Sequence, residues 1–191
     1  MLGLGVWFWV IVAAVVVLGV GVVLYAGGRV RASRRTAALR RHFGDEYDRV
    51  VDEYGGRQRG EAELRARLRM RRELHIRDLD AAERDRFGEA WTSTQAEFVD
   101  TPVNGLRDAD LLVMQVMRDR GYPVEHFEER AKLISVDHPE LVEHFRAAHR
   151  VAVAKEDGGA DTEQLRQAMV DYRYLFDELL HGGEPQRIPR V

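Results

Sequence analysis

The residues best suited to chemistry lie near position 140, in a short segment that holds both acids and histidines. Asp137, His138, Glu140 and His144 are carboxylates and imidazoles, the groups that ligate transition metals or exchange protons near neutral pH. Glu140 and His144 are four residues apart and therefore share a face of a helix. Such a pair could supply two metal ligands, or an acid and a base.

The same residues also have a structural interpretation. Asp137 followed by Pro139 and Glu140 is typical of a helix start, with Asp137 as the N-cap and Glu140 as its reciprocal partner. His149 lies five residues after His144, roughly 140° around the helix, so the two imidazoles cannot face one ion unaided. We favour the cap, with His149 packed on the apolar face. The alternative is a metal-dependent enzyme, or a metal or pH sensor, built on residues 137–149.

Other reaction classes have no candidate residues. Cysteine is absent, which excludes disulfides, thiolate metal sites and cysteine nucleophiles. No phosphate-binding glycine loop, serine nucleophile elbow or zinc-protease pattern occurs. Glu178 and His181 form one Glu-x-x-His pair, where a di-iron bundle needs two pairs and two further glutamates. We therefore expect no catalytic residue and no cofactor.

The element that would position the rest of the chain is an apolar segment at the N-terminus. Residues 1–28 contain no charged side chain, and a helix over 2–26 would extend about 37 Å, enough to cross a hydrocarbon core of about 30 Å. A cleavable signal peptide would have a basic start, a shorter apolar core and small residues at the cut. The sequence therefore predicts an uncleaved transmembrane anchor over 1–28, followed by a basic juxtamembrane linker over 29–41.

The charges beside the span predict its orientation. No lysine or arginine precedes it, and the first acid after it is Asp45. Because positive charge stays on the cytoplasmic side, we expect the N-terminus outside and the rest of the chain at the cytoplasmic face of the inner membrane. Six arginines could also contact anionic lipid headgroups: Arg29, Arg31, Arg34, Arg35, Arg40 and Arg41.

Beyond residue 41 the chain shows helix signals and almost no strand signals. Residues 42–79 predict a charged helical arm, and 80–181 an all-α domain with its central helix near residues 106–117. Residues 182–191 predict a flexible tail. Local signals mark several helix ends: Gly44 as a break, Asp80 and Glu83 as a capping box, Pro102 as a first residue and Gly121 as a stop.

The arginine-rich stretch from Arg57 to Arg77 also contains Glu61, Glu63 and Glu73. Mixed charge on one helix is typical of a solvated face or an arm that contacts a partner, and it argues against nucleic-acid binding. We therefore expect a protein partner of unknown identity and no nucleic acid.

The C-terminal half carries a series of distinctive motifs: Gly121-Tyr122-Pro123, Phe127, Arg130-Ala131, Ser135-Val136-Asp137-His138-Pro139, Phe145-Arg146-Ala147-Ala148-His149, Thr162-Glu163-Gln164-Leu165-Arg166, Tyr172-Arg173 and Leu175-Phe176. With these motifs the chain resembles a family of uncharacterised single-pass membrane or putative secreted proteins of high-GC Gram-positive bacteria. The likeness extends to the order of anchor, basic stretch, arginine-rich helix and C-terminal half. It implies no activity, cofactor or binding residue.

Together these patterns predict one transmembrane helix followed by a helical-bundle-like domain. The expected function is that of a membrane-anchored interaction or scaffolding module. Its binding surfaces would be the arm over 57–77 and the face beside His138, Glu140 and His144.

Overall fold

The computed structural model describes Leu18, residues 33–154 and residues 161–181. These residues form helices and turns and contain no strand, which confirms the all-α prediction. The predicted anchor over 1–28, apart from Leu18, and the predicted tail over 182–191 lie outside the described residues. Among the helices that are described, none combines the length and the apolar character needed to cross a bilayer.

Eight helical segments follow one another along the described residues. The first, α1, comprises helical residues 33–43. The others are α2 (Asp45–Glu53), α3 (Arg57–Glu73), α4 (Ala81–Asp100), α5 (Pro102–Arg120), α6 (Phe127–Asp137), α7 (Val142–Ala154) and α8 (Thr162–His181).

Four local signals for helix ends act as the sequence predicts. Gly44 separates α1 from α2 with a φ of 52°, a value that favours glycine. Asp80 and Glu83 form a complete capping box at the start of α4. Pro102 opens α5, and Gly121 ends it in the left-handed conformation.

The larger apolar core belongs to residues 79–181, which we call the bundle. Helix α5 is central, since α4, α7 and α8 all pack against it. Helix α8 buries one apolar stripe, including Leu165, Tyr172 and Phe176, and Trp91 of α4 stacks on Phe176. The close approach of α4 and α5 depends on Gly105, where an added Cβ would lie less than 3.0 Å from the Phe98 backbone.

Residues 33–73 form a second unit, which we call the proximal unit. Its smaller core comprises Leu39, Phe43, Tyr47, Val50, Leu64 and Leu68, together with Val136 of α6. This unit combines the described part of the predicted linker over 29–41 with most of the predicted arm over 42–79. From residue 33 the basic stretch is helical, and Leu39 and Phe43, one turn apart, are fully buried, because their apolar side chains leave water together.

The chain passes from the proximal unit to the bundle through an extended segment, residues 75–80. Arg77 and Arg120 exchange bonds there: the Arg77 amide donates to the Arg120 carbonyl at 2.9 Å, and Nε of Arg120 donates to the Arg77 carbonyl at 3.2 Å. The buried Arg120 guanidinium also donates to the Leu179 carbonyl of α8 at 2.8 Å and to Asp78 at 3.3 Å. One side chain therefore joins the connecting segment to the ends of α5 and α8.

The start of α7 differs from the prediction. Asp137 is the last residue of α6 rather than an N-cap, and α7 begins only at Val142. The Asp137 carboxylate is held by Arg71 and Tyr122, so it is unavailable to the amides of the next helix. Pro139 and Glu140 lie instead in the turn between α6 and α7.

Candidate functional site

The most concentrated charge in the described residues lies where the proximal unit meets the bundle. Glu46 of α2 is buried and accepts hydrogen bonds from three guanidinium groups. Arg67 donates at 2.7 Å, Arg146 of α7 donates two bonds at 2.8 and 2.9 Å, and Arg49 donates two at 2.7 and 2.9 Å. Two-bond contacts of this kind match the planar guanidinium to both carboxylate oxygens. Glu46 is therefore the centre of the junction.

These neighbours control the ionisation of Glu46. Burial by itself would raise the pKa, but hydrogen bonds from Arg49, Arg146 and Arg67 outweigh it and lower the pKa to about 2. The carboxylate is therefore ionised at neutral pH. A group that keeps one protonation state throughout the physiological range is a poor general acid or base.

Arg67 extends this network to α6. Its guanidinium donates to Ser135 Oγ at 3.1 Å and to Glu63 at 3.2 Å, and Lys132 lies 3.2 Å from the same Glu63 oxygen. The pKa of Glu63 is lowered, because bonds from Lys132 and Arg67 outweigh burial, which acts in the opposite direction. Helices α2, α3, α6 and α7 are thus joined by one set of charged bonds.

A second pair joins α3 to α6. Arg71 Nε donates to Asp137 Oδ2 at 2.5 Å, and the Tyr122 hydroxyl donates to the same oxygen at 2.6 Å. Burial is the main reason why the pKa of Tyr122 is raised, and the Asp137 charge adds to it. Asp137 Oδ1 is buried without a hydrogen-bond partner among the described residues.

A cleft of about 560 Å³ opens beside Glu46, between the turn at Gly44 and the turn that precedes α7. His42, Arg49 and Glu143 are among its lining residues. Burial lowers the pKa of His42, so its imidazole favours the neutral form. The walls carry both signs of charge. Glu46 and Arg49 bond to each other, whereas Nε2 of His42 is buried without a hydrogen-bond partner among the described residues.

The four residues singled out as weak metal candidates do not meet. The Asp137 carboxylate accepts bonds from Arg71 and Tyr122. His138 is buried with Nδ1 3.4 Å from Glu178 and 4.0 Å from Glu140, and burial lowers its pKa. The His144 ring nitrogen lies 2.8 Å from Asp171 of α8. Across the described residues, no three potential ligands are close enough to hold one metal ion.

His149 belongs to a separate polar cluster inside the bundle. Its ring stacks on Phe127 at 3.7 Å, and its Nδ1 lies 3.8 Å from Asp110, which accepts a bond from the Tyr172 hydroxyl at 2.9 Å. The packed position predicted for His149 is therefore observed. Arg130 is buried close by, over the rings of Phe127 and Phe145.

The arginines proposed for the membrane surface are partly described. Arg34, Arg35, Arg40 and Arg41 are exposed on α1. Arg29 and Arg31 lie outside the described residues. A groove of about 770 Å³ runs between α1 and α3, and arginines from both helices line it.

Comparison with family models, with curated proteins and with solved structures gives no match for this chain. The family resemblance stays a prediction from its motifs.

The residues at the junction were not predicted from the sequence. Arg67 and Arg71 lie on the face of α3 that carries Leu64 and Leu68, at helical spacing. Glu46 likewise adjoins the buried face of α2 that carries Tyr47 and Val50. A charged residue in register with an apolar stripe is the signal that could have found them.

Proposed function

We propose that this chain is a membrane-anchored helical interaction module, held at the cytoplasmic face of the inner membrane by the span predicted over residues 1–28. The observation that carries the proposal is the burial of α1 in the proximal unit. Leu39 and Phe43 are fully buried, so the folded body begins about ten residues after the predicted span. A partner bound to that body would be kept close to the lipid surface.

The state of the polar residues supports a role in binding rather than catalysis. Glu46 and Asp137 are buried in bonds with guanidinium groups and a tyrosine. Such ion pairs fix helices relative to each other, which suits a module that presents a rigid surface.

Two surfaces are proposed for the partner. The first is the exposed side of α3, which carries Arg59 and Arg69. The second is the face with Glu140 and His144, whose side chains are 60% and 50% exposed. Exposed charged residues at fixed spacing favour specificity and fast association over affinity.

Reporter fusions to the C-terminus of the full chain test the location. We expect fluorescence from a cytoplasmic fluorescent protein and no activity from alkaline phosphatase, because the arginine cluster retains the body inside. The matched control replaces the six arginines of residues 29–41 with glutamine, which should weaken the preference. Phosphatase activity from the original chain would contradict the proposed orientation.

Photocrosslinking in native membranes tests the interaction. A crosslinker placed at Arg69 or at His144 should give one discrete adduct, and the same group at Val99, which is 80% exposed on α4, should not. An adduct that disappears when residues 1–28 are replaced by an unrelated span would indicate that the anchor itself binds the partner. Equal labelling at all three positions would contradict a defined surface.

A further inference from the structure

The groove between α1 and α3 carries an unusual density of positive charge. Arg35 and Arg40 contribute from α1, and Arg57 and Arg65 contribute from α3. Arg57 and Arg65 belong to a different part of the chain from the juxtamembrane cluster, and folding brings them beside it. The two helices together therefore form one cationic surface.

Glu61 lines this groove and bonds to the helices around it. Thr36 Oγ1 of α1 donates to Glu61 Oε1 at 2.7 Å, and the Tyr47 hydroxyl donates to the same oxygen at 3.0 Å. Arg57 and Arg65 lie one turn of α3 before and after Glu61, so they share its helix face. The buried Glu61 side chain accepts bonds from α1 and α2 and therefore joins both helices to α3.

The arginines are only partly neutralised. Arg35 and Arg57 make no ion pair or hydrogen bond with any other described residue. Arg40 is 3.3 Å from Asp48, with both side chains mostly exposed, and Arg65 is 3.4 Å from Glu61. Four guanidinium groups thus meet only two carboxylates, Asp48 and Glu61, and the surface keeps a net positive charge.

We propose that this groove binds the phosphate group of an anionic phospholipid in the membrane that holds the anchor. The inference rests on the proposed function, because it requires the predicted span over 1–28. Arg35 follows Gly28 by seven residues, which limits their separation to roughly 25 Å even in a fully extended chain. Guanidinium groups bind phosphate oxygens through paired hydrogen bonds, and cationic residues near an anionic leaflet are attracted to it.

Lipid binding by the full chain in detergent micelles provides the test. Native mass spectrometry would count bound phosphatidylglycerol, with phosphatidylcholine as the zwitterionic comparison. The test variant combines Arg57→Gln with Arg65→Gln, which leaves the arginines that set the orientation of the span unchanged. The control variant combines Arg107→Gln with Arg118→Gln, which removes the same charge from exposed positions on α5.

We expect one saturable phosphatidylglycerol site that is weakened about tenfold or more in the test variant, given about fivefold for each cation near a membrane surface. Binding should stay unchanged in the control variant. Equal loss in both variants, or equal binding of the two lipids, would overturn the proposal. Inorganic phosphate that displaces the lipid at the same concentration would assign the groove to free phosphate and overturn it as well.

Two further measurements separate the possible causes of failure. Circular dichroism checks folding, and if the double variant unfolds, Arg57→Gln alone serves, because its side chain is exposed. Carbonate extraction of cell membranes tests the anchor independently of the groove. A chain that stays in the membrane without lipid preference contradicts the groove alone, and a chain that is extracted contradicts the proposed function.

Discussion

The proximal unit and the bundle are both helical, but different interactions hold them. The bundle buries a continuous apolar core contributed by α4 to α8. The core of the proximal unit has only seven fully or nearly buried residues, one of which belongs to α6. The junction between the proximal unit and the bundle consists of buried charged residues: Glu46, Arg67, Arg71, Asp137 and Arg146.

The difference indicates which conditions each region can tolerate. Apolar burial depends little on pH, and it tolerates exchange between side chains of similar volume. Buried ion pairs depend on protonation and on the presence of every partner, since removing one leaves the others desolvated and unpaired. Changes at the junction should therefore loosen the proximal unit, and changes in the core should weaken the whole fold.

The largest effect is expected from Glu46→Ala. Three guanidinium groups would stay buried without their common carboxylate, so the free energy of unfolding should fall by about 3 to 5 kcal/mol. Chemical denaturation of the full chain in detergent measures the change. Glu53→Ala is the matched control, because Glu53 also bonds to Arg49 but is half exposed, and its loss should cost less than about 1 kcal/mol.

Hydrogen exchange would localise the Glu46 effect. Amides of α2 and α3 should lose protection in Glu46→Ala while those of α5 and α8 keep it. Uniform loss of amide protection across all helices would show that the proximal unit and the bundle unfold together, which would contradict the difference drawn between them.

Acid should also lower the free energy of unfolding, by slightly less than Glu46→Ala does. The pKa of Glu46 falls from 4.5 to about 2 on folding, so its contribution is complete above about pH 5 and is lost as the pH falls toward 2. The shift corresponds to about 3 kcal/mol. Denaturation midpoints measured from pH 7 to pH 2 should show this loss, and Glu46→Gln should lack that component. An unchanged acid dependence in Glu46→Gln would refute the assignment.

Two glycine substitutions compare the regions directly. A Cβ at Gly60 would lie 2.7 Å from Val51 Cα, and one at Gly105 would lie less than 3.0 Å from the Phe98 backbone. Backbone cannot move aside easily, so each change to alanine should cost about 1 to 3 kcal/mol. Hydrogen exchange should show lost protection in α2 and α3 for Gly60→Ala, and throughout α4, α5 and α8 for Gly105→Ala. Gly88→Ala, with open space around it, is the control.

The smallest effect is expected at the start of α4. Asp80→Ala removes the side chain that accepts from the Glu83 amide at 2.8 Å. The free energy of unfolding, measured by thermal denaturation, should fall by about 1 kcal/mol. Asp80→Ser retains an acceptor and should restore most of the loss. A change as large as that of Glu46→Ala would mean that this cap supports the junction.

The sequence was most informative where structure depends on neighbours along the chain. The cap at Asp80, the proline at 102 and the turn glycine at 121 act within a few residues, so their effect can be predicted from spacing. The apolar stripe of α8, with Leu165 and Phe176, follows from helical periodicity in the same way.

The junction could not be predicted by such reasoning. Glu46 and Arg146 are 100 residues apart in sequence, and their contact depends on how four helices pack. The arginines of α3 resemble surface residues by composition, yet the Arg67 side chain is 2% exposed because Glu46 of α2 and Glu63 of α3 itself both pair with it. Asp137 resembled a helix cap because nothing nearby in the sequence reveals Arg71 as its partner.

Arg120 has a mechanical consequence. In the proposed membrane-anchored state, tension on α1 would pass through the extended segment 75–80, where this guanidinium donates to the Arg77 carbonyl. The same guanidinium donates to the carbonyl of Leu179, which lies in the last turn of α8, where carbonyls lack a partner within the helix. Tension on the proposed anchor would therefore be transmitted to the C-terminal end of α8.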